Sequence, residues 1–208
     1  MDRGPSLHRL NRHVARVLRI LPGLPGRLLR PPRRPRRPLH RESIITAGEQ
    51  ALGRGLKSIP WHTDHHRADL IAWQCIEPPP VGGLTLLCDG IAAIEDLKAE
   101  ARETLGAVML QEHQVFRDDE GVHPLLTTVD GHTRLYCSLW LAGQCHFDAT
   151  QRQALEAFQR AIEAREAHGM QWQEGDVLVI DNRRMLHGRS AIEGHHRLER
   201  YWLAATRS

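Results

Sequence analysis

From about Glu42 onward, short apolar runs alternate with turn residues, and this pattern predicts many short strands. The runs are rich in Val, Ile, Leu and Trp and are bounded by Pro, Gly and Asp. An Asp130-Gly131 pair between two of them predicts a hairpin turn. The predicted strands cover residues 69–76, 84–88, 108–116, 125–129, 133–140, 177–180 and 198–204.

Two stretches have helical rather than strand spacing. Residues 91–105 and 149–168 place apolar side chains three and four positions apart, and Asp148 precedes the second stretch as a natural N-cap. Strands that outnumber helices in this way predict a mainly β fold with inserted helices. An antiparallel barrel or jelly roll fits best.

The basic residues are concentrated at the N-terminus. Residues 1–41 contain 12 arginines and one acid, Asp2, so the rest of this +3 chain is net acidic. We predict a basic Pro/Arg-rich arm over 1–41, disordered or partly helical around 7–21, and a folded domain over 42–208. The arm could bind a membrane surface or nucleic acid, direct the chain to an organelle, or be an unstructured extension. An acidic folded domain argues against nucleic-acid binding by that domain.

The apolar runs and the cysteines indicate the cellular compartment in which the protein is expected. No apolar run approaches the ~20 residues that span a bilayer. None of the four cysteines forms a CxxC pair, and their surroundings are apolar, so reduced thiols in a cytoplasmic protein are expected. They are Cys75, Cys88, Cys137 and Cys145.

The candidate chemistry begins at His62-Thr63-Asp64. Two residues that are two positions apart in an extended segment point to the same side. A distant His187 could then complete a set of two imidazoles and one carboxylate, which is the facial triad of non-haem Fe(II) oxygenases. His146 and Asp148 repeat the spacing, but Asp148 is better explained as a helix cap.

Two further motifs extend this set. A GGLTLLCDG segment covers 82–90, and GDVLVIDNRRMLHGR covers 175–189, with Arg197 and Arg200 beyond it. Over roughly residues 58–206, this ordered combination resembles the TauD/TfdA-like family of Fe(II)/2-oxoglutarate-dependent dioxygenases, near the clavaminate-synthase group. The resemblance implies a double-stranded β-helix (jelly roll) that uses Fe(II), 2-oxoglutarate and dioxygen to hydroxylate an unactivated C–H bond.

The resemblance also implies roles for single residues. His62, Asp64 and His187 match the iron ligands, and Thr85 matches a residue that hydrogen-bonds a 2-oxoglutarate carboxylate. A late arginine would pair with the distal carboxylate of 2-oxoglutarate. Arg197 is preferred, although in another register His196 takes that position and Arg200 points inward. Because Asp64 is present, hydroxylation or desaturation is favoured over halogenation.

Residues near the substrate are less constrained. Tyr136, Trp140 and Arg189 are candidates, each with a structural alternative, whereas His65, His66, His195 and His196 are expected to face solvent. The substrate would be a small polar metabolite such as an amino-acid or natural-product intermediate.

The chain also departs from the family's usual pattern. Relatives usually carry a longer folded segment before the HxD motif. A shorter segment would leave an exposed sheet edge, which a homo-oligomer could cover. Two alternatives follow: a shortened, catalytically degenerate relative that binds a metal or a partner, and a nucleic-acid-modifying oxygenase tethered by its arm.

Overall fold

The computed structural model describes residues 38–46, 57–138 and 145–204. The helix predicted around 7–21, most of the Pro/Arg segment and Trp140 lie outside these residues. The described elements are β1 (His40–Thr46), β2 (Ile59–His62), β3 (Leu70–Glu77), β4 (Val81–Gly82), β5 (Thr85–Asp89), α1 (Gly90–Glu95), α2 (Ala99–Gly106), β6 (Met109–Gln111), β7 (Val122–Pro124), β8 (Leu126–Val129), β9 (His132–Leu135), α3 (Ala149–Glu163), β10 (His168–Met170), β11 (Val177–Asp181), β12 (Met185–Arg189), β13 (Ile192–Glu193) and β14 (His196–Leu203).

Two four-stranded sheets form the framework. One has the strand order β1-β14-β3-β11 and the other β10-β5-β12-β2, and all of these pairings are antiparallel. Apolar side chains from both sheets form one core, which includes Trp73, Leu178 and Trp202 from the first sheet and Leu87 and Met185 from the second. This arrangement confirms the predicted mainly β jelly roll.

A second core lies on the other side of the β5–β12 sheet. Cys88 and Leu186 point to that side and pack with α1, α2 and α3 through Ile91, Leu105 and Phe158. The inner side of this sheet is therefore left for Thr85, Leu87, His187 and their neighbours, because side chains alternate along a strand.

Several element boundaries differ from the predicted ones. The helix predicted over 91–105 is two helices, because the chain turns at Asp96 and Leu97 and Lys98 is extended. The strand predicted over 108–116 ends at Gln111, because Asp119 accepts hydrogen bonds from the backbone of Val115 and Phe116 and folds that segment into a loop.

Other boundaries are confirmed or shortened. The Asp130-Gly131 turn has positive φ at both residues, 52° and 74°, as a two-residue hairpin requires. The last strand runs over His196–Leu203, close to its predicted bounds, whereas α3 ends at Glu163 rather than near 168. Among the described helices, none has the length and apolar character that crossing a membrane would need.

None of the four cysteines is in a disulfide; three are buried and Cys145 is half-buried. Burial raises the pKa of the Cys75 thiol to about 12, so it stays protonated near neutral pH and is a poor nucleophile.

Asp148 caps α3 as predicted. Its side chain accepts from the Gln151 backbone N–H at 2.8 Å, while the Gln151 side chain accepts from the Asp148 backbone N–H at 3.2 Å. We expect Asp148→Ala to lower the free energy of unfolding by about 1 kcal/mol in urea denaturation. Asp148→Asn, which can still cap, should change it by less; equal losses would contradict the capping role.

Candidate metal centre

Strand pairing brings His62 and His187 together. β2 and β12 are neighbours, and His62 lies directly opposite His187. Their ring centroids are 4.1 Å apart. Asp64 lies two residues beyond β2, and its Oδ1 is 3.8 Å from His62 Nε2 and 3.6 Å from His187 Nε2. The three side chains are buried, and their ligand atoms lie within 4.8 Å of one another.

Asn182 fixes the backbone that carries Asp64. Its Oδ1 accepts from the Asp64 backbone N–H at 2.8 Å, and its Nδ2 donates to the carbonyls of His65 and Ala68 at 3.2 and 2.9 Å. Asn182 follows β11 and is buried, so one amide joins the segment after β2 to the turn before β12. The loop that carries Asp64 is thereby fixed to the turn that precedes β12.

The His62 ring is oriented by a backbone carbonyl. Its Nδ1 lies 2.9 Å from the oxygen of Pro60, so a proton on Nδ1 donates to that carbonyl and the Nε2 lone pair faces Asp64. Burial, followed by the proximity of His187, lowers the pKa of His62 to about 3. The imidazole is therefore neutral near pH 7, which is the form that binds a metal.

The Asp64 carboxylate is held in its ionised form. Trp202 Nε1 donates to Oδ2 at 2.7 Å, and Arg200 Nη1 lies 3.0 Å from Oδ1 and 2.9 Å from Oδ2. Burial alone would raise the pKa of Asp64, but the charge of Arg200 and the hydrogen bond to His187 outweigh it and lower that pKa. Two imidazoles and one carboxylate on a single side fit Fe(II).

The indole of Trp202 is expected to set the geometry of Asp64, because it binds Oδ2 and leaves Oδ1 facing the imidazoles. We expect Trp202→Phe to weaken Fe(II) binding about 10–100-fold. Trp172→Phe is the matched control, since this second buried indole donates instead to Thr85. Anaerobic equilibrium dialysis measures both variants, and equal iron affinities would contradict the assigned role.

Thr85 and Arg189 lie on the same side of their sheet as His187. Thr85 is paired with Arg189 between β5 and β12, and His187 is paired with Leu87 two positions away. Both side chains are buried, and the Thr85 hydroxyl accepts from Trp172 Nε1 at 2.9 Å. Placement beside the metal centre agrees with the role predicted for Thr85.

The placement of Arg197 is a correction. Residues 196, 198, 200 and 202 of β14 face the opposite sheet, so Arg197 points outward. There it pairs with Glu199 at 2.9 Å, and its side chain is 44% exposed. Against the preference for Arg197 as the 2-oxoglutarate arginine, the structure places this side chain on the outer side of β14. Arg200 points inward, but it contacts Asp64 and Glu42.

The histidine expectations also need correction. His65 is completely buried, His66 is half-buried, and His196 is buried on the inner side of β14. His195 is exposed, as predicted. Polarity suggested solvent exposure, but the alternation along β14 would have placed His196 inward once its register was known.

A second histidine–carboxylate group lies beside the centre but is less suited to a metal. His65 and His66 approach Glu112, and Asp119 lies 3.2 Å from His65. The backbone N–H of Arg67 donates to His65 Nδ1, which leaves the proton of a neutral ring on Nε2. That nitrogen then has no lone pair for a metal, so this group serves better as a paired polar cluster.

Tyr136 packs against this polar cluster. Its ring meets those of His66 and His123 edge-on at 6.1 and 5.3 Å, and its hydroxyl donates to the carbonyl of Gln111 at 2.9 Å. Burial raises the pKa of Tyr136, so the hydroxyl stays protonated. This position is compatible with the substrate role predicted for Tyr136.

Comparisons with solved structures place the fold among non-haem iron oxygenases. An asparagine oxygenase solved with Fe(II), 2S,3S-3-hydroxyasparagine and succinate superposes with a TM-score of 0.64 at 16% identity, over 78% of this chain and 56% of that one. OrfP with Fe and alpha-ketoglutaric acid superposes with a TM-score of 0.60 at 20% identity, over 79% of this chain and 56% of that one. A third structure is PvcB, an Fe, alpha-ketoglutarate dependent oxygenase from an isonitrile synthetic pathway. It superposes with a TM-score of 0.60 at 18% identity, over 79% of this chain and 64% of that one.

Sequence comparison covers more of the chain. No curated protein matches it significantly. The sequence pattern of the taurine catabolism dioxygenase TauD, TfdA family matches residues 10–204. The match begins inside residues 1–41, so the division of the chain at residue 41 stays a prediction. Because the match covers nearly the whole sequence, this chain belongs to the taurine catabolism dioxygenase TauD, TfdA family.

Proposed function

We propose that the protein is an Fe(II)- and 2-oxoglutarate-dependent dioxygenase that hydroxylates a small polar metabolite. The observation that carries the proposal is the preformed set of His62, Asp64 and His187, with its ligand atoms within 4.8 Å of one another. Their protonation states, neutral at His62 and ionised at Asp64, are those a divalent metal requires. Family membership supports the same chemistry.

The protein's own contribution is orientation and exclusion of water. Bound iron, together with 2-oxoglutarate and dioxygen, would supply the oxidation of a C–H bond. Pro60 and Trp202 hold the ligand atoms in place, and Trp73 packs edge-on against the His187 ring at 5.1 Å. His62, Asp64 and His187 would hold the iron from one side, and the co-substrate, dioxygen and substrate would be accommodated on the other.

An amino acid is the favoured substrate class. Asparagine oxygenase and OrfP, both similar in fold, were solved with 3-hydroxyasparagine and L-Arg or its hydroxylated form. The four thiols, none of which is in a disulfide, support a cytoplasmic location.

The test is turnover in air. The full chain with Fe(II), 2-oxoglutarate and each of the common amino acids in turn should form succinate, with one amino acid gaining one oxygen atom by mass spectrometry. His187→Ala, folded by circular dichroism, should form no succinate above background. The proposal fails if the wild-type protein forms no succinate, or if it forms the same amount as His187→Ala.

A further inference from the structure

A group of polar side chains lies between the two sheets, two residues along β12 from the metal ligand His187. It consists of Thr85 on β5, Arg189 on β12 and His196 on β14, and we call it the anion pocket. Thr85 and Arg189 are direct cross-strand partners, which places their Cβ atoms about 4.5–5.5 Å apart on one side of the sheet. His196 lies on the same side of β14 as the core residue Leu198, between the sheets, where the charge of Arg189 acts on its ring.

His196 carries unused hydrogen-bonding groups into this pocket. The residue is 1% exposed, and neither ring nitrogen hydrogen-bonds to a described residue. Burial, reinforced by the positive charge of Arg189, lowers the pKa of His196 to about 4. A neutral ring keeps one N–H donor, and an unused buried donor is costly unless a ligand accepts from it.

Thr85 also has a donor to offer. Trp172 Nε1 donates to the Thr85 hydroxyl at 2.9 Å and thereby occupies one of its lone pairs. No hydrogen bond from the hydroxyl itself is found within the described part of the chain. The hydroxyl proton is therefore available to an acceptor that approaches from the sheet interior.

Arg189 supplies the positive charge of the anion pocket. It is 9% exposed, and its Nη2 donates to the carbonyl of Lys57 at 3.0 Å. A guanidinium in this position offers a planar fork that matches a carboxylate. The pocket thus combines a cation, a hydroxyl donor and an imidazole donor, and this combination recognises an anion.

Distance along the strand relates the pocket to the metal centre. Arg189 lies two residues from His187, and two residues advance about 6.6 Å along a strand. When a five-carbon 2-oxo dicarboxylate chelates a metal through its 2-oxo group and the adjacent carboxylate, its other carboxylate lies about this distance away from the chelating end. The last strand does not compete for this role, because Arg197 points outward and Arg200 binds Asp64.

We propose that Arg189, with Thr85 and His196, binds the distal carboxylate of 2-oxoglutarate, in place of an arginine on the last strand. The inference rests on the proposed function and makes Arg189 a co-substrate residue rather than a substrate residue.

The experiment compares two oxo acids on two matched variants. Full-length protein with Fe(II) is titrated anaerobically with 2-oxoglutarate or with 2-oxopentanoate, which lacks the distal carboxylate, and the visible charge-transfer band reports binding. Arg189→Met should weaken 2-oxoglutarate binding about 10–100-fold and leave 2-oxopentanoate binding nearly unchanged. Arg197→Met, on the outer side of the same region, should bind both as the wild-type protein does.

Other outcomes separate the inference from the function beneath it. Equal 2-oxoglutarate affinity in Arg189→Met and wild type overturns the inference and leaves the function standing. An equal loss for both oxo acids overturns it as well, because the damage then lies at the metal. A wild-type protein that binds neither acid overturns both ideas. If Arg189→Met does not fold, Arg189→Lys decides: it keeps the charge but loses the fork, so 2-oxoglutarate binding alone should weaken, and unchanged binding overturns the inference.

Discussion

Asp64→Asn is expected to reduce Fe(II) affinity more than a hundredfold. Removal of a hydrogen-bond partner of a ligand already costs about 10–100-fold, and loss of the only carboxylate ligand among the three costs more. The substitution keeps the shape of the side chain, so the effect isolates the charge. In the wild-type protein this charge is maintained by Arg200 and Trp202, which are both within 3.0 Å of the carboxylate.

The same substitution should also destabilise the metal-free protein. The Arg200 side chain is 18% exposed, and without the carboxylate it loses its charged partner in the interior. We expect the free energy of unfolding to fall by about 1.5–3 kcal/mol.

The pH dependence of this contribution has a definite sign. The pKa of Asp64 is lower in the folded state than in the unfolded chain. The stabilisation is therefore present above the unfolded value of about 4 and is lost as the pH falls further below it. In urea denaturation, the free energy of unfolding of Asp64→Asn should therefore fall less steeply than that of the wild-type protein as the pH is lowered.

The chain supplies a matched control for this variant. Asp148 follows His146 with the same spacing as Asp64 and His62, but it caps α3. Asp148→Asn should leave both iron affinity and stability nearly unchanged, because asparagine caps as well as aspartate. Equal iron affinity in Asp64→Asn and Asp148→Asn, by equilibrium dialysis, would contradict the assignment of Asp64.

Asn182→Leu is expected to produce the largest loss of stability, about 3–5 kcal/mol. The substitution removes the hydrogen bonds to Asp64, His65 and Ala68 and leaves those buried backbone groups without the amide. Each unsatisfied buried group costs about 1–3 kcal/mol, although the costs are not additive. Since the same backbone positions Asp64, iron affinity should fall too.

The control is an amide that makes an exposed contact. Gln159 hydrogen-bonds Glu163 on the surface of α3 at 3.0 Å, and Gln159→Ala should change stability by no more than about 0.5 kcal/mol. Urea denaturation followed by circular dichroism measures both variants. A loss in Asn182→Leu as small as that in Gln159→Ala would show that the amide does not hold the two ligand segments together.

The clustering of His62, Asp64 and His187 could be predicted from the sequence because their spacing carries geometric information. His62 and Asp64 point to one side since they are two residues apart, and the DNRRMLHGR motif supplies the distant His187. The strands β3, β5 and β11 were predictable for a similar reason, since they are apolar runs bounded by turn residues.

The roles of other residues depend on tertiary pairing that the sequence does not display. Whether Arg197 or Arg200 points inward depends on the register of β14 against β1 and β3, which includes an irregularity at Arg197 and Leu198. His65 and His196 look like surface residues by polarity alone, yet both are buried. The contact between Trp202 and Asp64 joins residues 138 positions apart, and no local pattern indicates it.

The most direct test of the central claim, that His62, Asp64 and His187 form one iron centre that binds 2-oxoglutarate, is anaerobic visible spectroscopy. Fe(II) and 2-oxoglutarate added to the wild-type protein should produce a weak charge-transfer band that saturates at one iron per chain. The folded His62→Ala variant should give no band. A wild-type protein without the band, or a band that persists unchanged in His62→Ala, would contradict the claim.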